Sequence, residues 1–154
     1  MKTNTKIWIW ILVLALLAVW YLPKMPFNEE IERKIEAQVY VEGIPVRTTE
    51  VVIEGGRSRY LFSDRQMFFG DFQMEEYPRT QREDMMAEIS WHERFDVEQI
   101  IYAQNATFPD LEMERDLIMD ETMEHFALGF KDGRIVATSS ELMEEYRERY
   151  GKVD

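Results

Sequence analysis

The sequence predicts a mainly β protein: an N-terminal transmembrane helix, then an antiparallel β-sandwich or open barrel of about eight strands with one C-terminal helix. Three observations carry that expectation. An uncharged apolar run fills Ile7 to Leu22. From Ile35 to Ala137, short stretches alternate apolar and polar residues between turn residues. After Ala137 the apolar period changes from that of a strand to that of a helix.

The apolar run would span roughly 24 Å as a helix, against a hydrocarbon core of about 30 Å. No polar face interrupts it, which argues against a helix buried in a soluble core. Trp8 and Trp10 sit near one end and Trp20 and Tyr21 near the other, as interfacial aromatics do. Lys6 and Lys24 lengthen the effective span by reaching outward. A signal peptidase needs small residues at a fixed spacing. Ala15-Leu16-Leu17-Ala18 has the wrong spacing and Val19-Trp20-Tyr21-Leu22 is bulky, so the run reads as a retained anchor. Lys2 and Lys6 precede it without an acid, whereas Glu29 and Glu30 follow soon after it. The positive-inside bias therefore predicts a cytoplasmic N-terminus at 1–6, an anchor at 7–22, a linker at 23–31 and an extracytoplasmic domain at 32–154 in a single-pass cell-membrane protein.

Beyond the anchor, 16 basic side chains face all 30 acidic ones, a net charge of −14. Such a surface repels nucleic acid and gathers cations or basic partners. There is no cysteine, which excludes disulfides, thiol nucleophiles and cysteine-based zinc sites. The domain must hold together by packing, for which nine Phe, seven Tyr and ten Met supply material.

In order along the chain, Pro23 and Pro26 mark a stiff spacer. Ile35, Ala37, Val39 and Val41 form one face of a strand ended by Glu42-Gly43. Thr49, Val51 and Ile53 form the next, and Gly55-Gly56 predicts a hairpin turn into Arg57–Phe62. Phe68, Phe72 and Met74 share a face, with Gly70 predicting a bulge or a close backbone approach. Tyr77-Pro78-Arg79-Thr80 is a turn. Ala87, Ile89 and Trp91 face inward from a strand, Glu98–Gln104 reads as a central strand, and Leu117–Met119 as a short one. Phe126, Leu128 and Phe130 lead to Asp132-Gly133, a strong hairpin signal, and Ile135 and Ala137 return. Thr138 to Glu141 has the spacing of a capping box. Leu142, Met143, Tyr146 and Tyr150 form a helical stripe, Glu145 and Arg149 pair at i,i+4, and Gly151 is the stop.

The run GGRSRYLFSDRQMFFGDFQMEEYPRT, with DGRIVATSSELMEEY near the C-terminus, resembles small uncharacterised proteins of Gram-positive bacteria. The resemblance implies one N-terminal membrane segment and a β-rich exterior domain. It implies no activity and no functional residues.

Among the chemistries the residues allow, Glu88, Ser90 and His92 share a strand face, the nearest approach to a hydrolase arrangement. A catalytic serine needs the histidine between itself and the carboxylate, whereas here the serine is central and no nucleophile elbow surrounds it. A solvated polar row explains the three residues better. Asp110, Glu112, Glu114 and Asp116 would line one side of an extended backbone and offer oxygens to a hard cation, but the glycine and carbonyl donors of a calcium loop are missing. Arg57, Arg59 and Tyr60 are residue types favoured at protein interfaces. No cofactor motif is present. The expectation is a non-enzymatic interaction module held at the membrane by its helix, with a partner among envelope proteins and none among nucleic acids. The alternatives are an envelope hydrolase and a cation-responsive module.

Overall fold

The computed structural model describes residues 2–60, 63–92 and 97–151, and excludes the side chains of residues 2–5, 64, 92 and 97. Helix α1 runs Lys2–Tyr21, about 30 Å at a helical rise, and is long and apolar enough to cross a membrane by length and composition. Its large apolar side chains, Ile7 to Leu22, are exposed. At its end the Lys24 ammonium lies 3.7 Å above the Trp20 ring.

The spacer is shorter than the sequence predicts. A single 3₁₀ turn at Leu22–Lys24 leads to Met25, and strand β1 (Pro26–Val41) begins at once. Residues 26–31 find a partner in the next strand, and Ile31 is buried in the core. Seven further strands follow in order: β2 (Ile44–Tyr60), β3 (Ser63–Met74), β4 (Met85–His92), β5 (Val97–Gln104), β6 (Met113–Met119), β7 (Phe126–Phe130) and β8 (Ile135–Ala137). Each pairs antiparallel with the next and β8 returns to β1, so the sheet closes into an up-and-down barrel. Helix α2 (Ser140–Tyr150) packs outside it.

Closure depends on stagger. Near its base β2 pairs with β3 from Val51 to Tyr60, whereas β1 meets β8 only near its tip, at Gln38–Tyr40. This offset tilts the long β1–β2 hairpin across the barrel, as strand shear requires. Glu42 and Gly43 form the hairpin tip with positive φ angles of 52° and 81°, which suits the right-handed twist of the flanking strands.

The predicted turn at Gly55-Gly56 is not one. Both residues lie inside β2, and the two strands expected on either side are one. Gly55 faces Gly70 of β3 in register. The two backbones approach so closely that a Cβ on Gly70 would lie 2.6 Å from the Gly55 Cα and 2.3 Å from the Glu54 carbonyl oxygen. Gly55 therefore serves a close crossing rather than a reversal, as expected for Gly70.

Eight strands leave an interior just wide enough for side chains to fill. Phe68, Phe72, Phe126, Ile53, Met74, Met85, Ile89, Leu117 and Leu128 fill it, all fully buried. Phe72 and Phe126 meet edge to face at 5.5 Å, and each such buried ring stabilises the fold by about 1.5–3 kcal/mol. Two of the interior polar aromatics donate to backbone carbonyls. Trp91 Nε1 donates to Met119 at 3.0 Å and Tyr102 Oη to Phe72 at 2.7 Å. Burial raises the Tyr102 hydroxyl well above its ordinary pKa.

On the outside, α2 lays Met143 and Tyr146 over Tyr40, Ile118, Ala127 and Ala137. This cover explains why all five residues of β7 are buried. The helix cap is one residue later than predicted: the Ser139 hydroxyl accepts from the Leu142 N–H, while Thr138 Oγ1 accepts from the Phe126 N–H. The Glu145–Arg149 pair (2.8 Å) and the Gly151 stop are as expected.

These contacts set a contrast between adjacent positions. Gly70→Ala should destabilise the barrel by about 2–3 kcal/mol, because the new methyl meets backbone that cannot yield. At Gly56 a Cβ would meet nothing within 4 Å, so Gly56→Ala should fall within about 0.5 kcal/mol of the parent. Urea midpoints of the two variants test the pair.

Candidate functional site: an open seam in the barrel wall

Strand β5 pairs with β4 over all eight residues, Met85–Gln104 through His92–Val97. Its other edge behaves differently. Across to β6 only Glu98–Leu117 and Gln99–Asp116 are in register. Beyond them, Ile100, Ile101 and Tyr102 of β5 and Met113, Glu114 and Arg115 of β6 line a cleft of about 480 Å³. The expectation of a central strand for Glu98–Gln104 therefore holds on one edge and fails along most of the other.

The cause lies in the connection. Gln104 and Thr107 close a two-residue turn with reciprocal backbone hydrogen bonds of 2.8 and 2.9 Å. Carried on in that register, the hairpin would set Gln99 opposite Glu112. Gln99 instead faces Asp116, four residues further on. The excess is taken up beside Pro109, which has no N–H to give to a ladder. Phe108, next to it, is 73% exposed.

A second irregularity holds the far side open. Between β6 and β7 the register shifts: Met113 faces Phe130 and Leu117 faces Leu128. Glu114, Arg115 and Asp116 thus occupy the space opposite Gly129 alone. Tyr146 of α2 anchors this bulge by donating its hydroxyl to the Asp116 carbonyl at 3.0 Å. It also presses on Gly129 so closely that a Cβ there would lie 2.6 Å from its oxygen. A second cleft, of about 630 Å³, runs beside α2 and shares Glu114 and Lys131 with the first.

Compared with known protein families, curated proteins and solved structures, the chain matches none.

The acidic row predicted at Asp110, Glu112, Glu114 and Asp116 falls on this seam, but it does not converge. Asp110 is held by the Lys131 ammonium at 2.7 Å, and that hydrogen bond and charge draw its pKa below the ordinary value. Glu112 gives its backbone carbonyl to Lys131 N–H. Glu114 and Asp116 line the cleft. Among the described residues no three His, Asp or Glu side chains are grouped to hold a metal ion.

Glu88 and Ser90 lie half-buried on the outer face of β4, beside Phe69 and Met67 of β3 and Ile101 and Gln99 of β5. His92 ends that strand, and its side chain lies outside the described residues. Arg57 is no surface contact. It points into the barrel with only 6% exposure, and its guanidinium reaches the Glu29 carboxylate at 2.6 Å. That hydrogen bond, together with the Arg57 charge, lowers the Glu29 pKa. Arg59 stands 3.7 Å from the same carboxylate, and Tyr60 lies under Arg65.

At the other end of the barrel Glu76, whose side chain is 4% exposed, takes both Arg47 and Arg134. Arg134 also packs over the Phe130 ring at 5.0 Å. Nothing in the sequence spacing signals this junction, since its three members come from β2, the β3–β4 connection and the β7–β8 turn. The seam was equally hidden, although Pro109 marks the place where a ladder fails.

The β6–β7 loop is organised by Asp120. Its carboxylate accepts from the Glu124 and His125 N–H groups, Thr122 Oγ1 and His125 Nδ1, the last at 3.0 Å. The hydrogen bond and charge from Asp120 raise the His125 pKa. Burial pushes the Asp120 carboxyl up, but the Thr122 and His125 hydrogen bonds outweigh it and leave the pKa lowered. A raised histidine stabilises the fold fully below its unfolded pKa, and that contribution is lost as pH rises through the folded value. Titration followed by NMR should place His125 above 6.5, and Asp120→Asn should bring it down. At the seam, Ala106 sits at φ 60°, so Ala106→Gly should stabilise the chain by about 1 kcal/mol in thermal or urea unfolding.

Proposed function

We propose that this chain is a single-pass cell-membrane protein, N-terminus in the cytoplasm, whose acidic barrel stands outside and binds another envelope protein through its outer surface, without catalysis of its own. The observation that carries the reading is the join between an exposed apolar helix and a barrel filled by its own side chains. Between Tyr21 and Pro26 there is only one 3₁₀ turn and one residue, so an anchored helix would hold the barrel against the bilayer. Tethering of this kind raises the effective concentration of the domain towards neighbours in the same membrane.

The packed interior, with Phe68, Phe72 and Phe126 fully buried, turns attention to the exterior. There the Glu88 and Ser90 face is a row on convex sheet rather than a concave site. The charge of the exported part favours basic partners and disfavours nucleic acid.

Two measurements test the proposal. Sequencing of the mature chain from cells should find residues 7–22 retained, and protease added to intact cells or protoplasts should remove the barrel. Photo-crosslinking groups placed singly over the barrel of the full-length protein should capture one reproducible envelope protein. A mature N-terminus beyond Leu22, or a barrel resistant until cells are lysed, would overturn the placement. Failure of every position to capture the same neighbour would overturn the interaction role.

A further inference from the structure

We infer that the edge of β1 turned away from β2 is a strand-acceptor site: the segment by which a partner's chain enters the membrane from outside, alternating basic and apolar residues, pairs antiparallel with Asn28–Glu36. The inference rests on the membrane placement and interaction role proposed above and names the place and the chemistry of the contact.

Backbone phase comes first. Strand β1 is paired with β2 from Pro26 to Val41, but with β8 only at Gln38–Tyr40. The phase of its other edge follows from β2. Glu50 gives its carbonyl to the Glu75 N–H at 3.0 Å, and the Glu54 carbonyl faces Gly70 of β3, so both residues turn their groups away from β1. Opposite them stand Glu36 and Glu32. These two, with Asn28, Glu30 and Lys34 in the same phase, therefore direct N–H and C=O away from β2. All five residues are exposed. Among the described residues, the one hydrogen bond to these groups runs from Arg33 Nη1 to the Glu32 carbonyl at 3.0 Å. Gln38, next in phase, is where β8 joins.

The chain that would cover this edge goes elsewhere. Continued in register, β8 would set Ser139–Glu145 opposite Glu36–Glu30. Instead the Thr138 N–H returns to the Phe126 carbonyl and Ser140 begins α2. What remains bare is about 30 Å of regular strand, fixed on one side and a template on the other.

Side chains then define the guest. Lys34 is taken by Glu50 at 2.9 Å, whereas Glu30, Glu32 and Glu36 have no ion pair among the described residues. Glu32 also stands directly opposite Glu54. Like charges so placed repel, and basic guest residues opposite the three carboxylates relieve that repulsion. On the inner face Ile35 is half-buried against the core, and Arg33 reaches Glu124 of the β6–β7 loop at 3.3 Å. Guest residues on that side must be apolar to cover Ile35 and compact to clear the loop. Direction completes the description. Strand β1 climbs from the end of α1, so an antiparallel guest descends towards the bilayer, as a chain does before it enters from outside. A second copy in the same membrane presents a β1 that also climbs, and it sets acid against acid.

The probe is a nine-residue peptide alternating lysine and valine, blocked at both ends and added to full-length protein in phosphatidylcholine nanodiscs. In the free protein, amides of Glu30, Glu32, Lys34 and Glu36 should exchange fast beside slow Ile31, Arg33 and Ile35. The peptide should slow the first set by about tenfold or more. A paramagnetic label at its C-terminus should broaden Asn28 rather than Gln38. A valine–glutamate peptide, and a lysine–valine peptide N-methylated at its lysines, should produce no slowing. Lys34→Pro removes an N–H that β2 does not use, so it should abolish the slowing with the melting temperature near that of the parent. The inference is overturned if the first set is already protected in the free protein, if the N-methylated peptide protects equally, or if the label reports the opposite direction. Absence of any slowing overturns it too, the charges then serving only to keep the edge solitary. Capture of one envelope protein from crosslinkers at Ile44, but not at Glu32, would leave the interaction role standing and remove β1 from it.

Discussion

Closing eight strands around a space that side chains can only just fill imposes one rule on the whole domain. Inward positions are mostly apolar and of a size their neighbours allow, and a strand that changes phase does so at a bulge, as β6 does between Met113 and Leu117. Phe68, Phe72 and Phe126 set the width at the centre, and the shear between the base of β2 and the tip of β1 sets the tilt. Where two strands cross too closely for any Cβ, at Gly55 and Gly70, the sequence gives up side chains altogether. Several polar side chains admitted to the interior meet a carbonyl or a counter-charge, although Arg57 Nε and Gln66 Oε1 are buried without a hydrogen-bond partner. Trp91 and Tyr102 use carbonyls, Arg57 uses Glu29, and Glu76 uses Arg47 and Arg134.

The same rule explains where the wall opens. Four residues more than a tight hairpin needs, one of them Pro109, cannot be laid into a ladder without breaking phase. The chain therefore leaves β5 after Gln104, pairs with β7 from Met113, and meets β5 again only at Asp116. On the other flank α2 requires small outer residues, Ala127, Gly129 and Ala137, and its Tyr146 holds the swollen part of β6 through the Asp116 carbonyl.

Much of the fold was legible before any coordinates. Alternation at Ile35–Val41, Ala87–Trp91 and Phe126–Phe130 marks true strands, because a half-buried strand permits little else. Asp132-Gly133 and Glu42-Gly43 are true turns, since both need positive φ near the reversal. Gly55-Gly56 misled because a glycine pair serves two purposes, a reversal or a close crossing, and only the neighbouring strand distinguishes them. Thr138 misled by one residue, because Thr138 and Ser139 can each accept at a helix start and the tertiary contact with Phe126 claims the first. For the site, the acids at Asp110–Asp116 were visible as a row, while their dispersal along a cleft was not. Arg57 was read as a surface residue, for its barrel-facing phase depends on a strand that continues through two glycines.

What the sequence determined by itself is the local physics: an apolar helix long enough for a bilayer, an acidic β domain without disulfides, and an amphipathic helix with its caps. These follow from periodicity and composition, which act within a few residues of chain. Tertiary structure alone decided the closure of the sheet, the burial of Arg57 and Glu76 against partners distant in sequence, and the late register of β6 against β5. Each is a matter of register, and register is settled by which strands meet and how far they are offset, a quantity that no short window of residues contains.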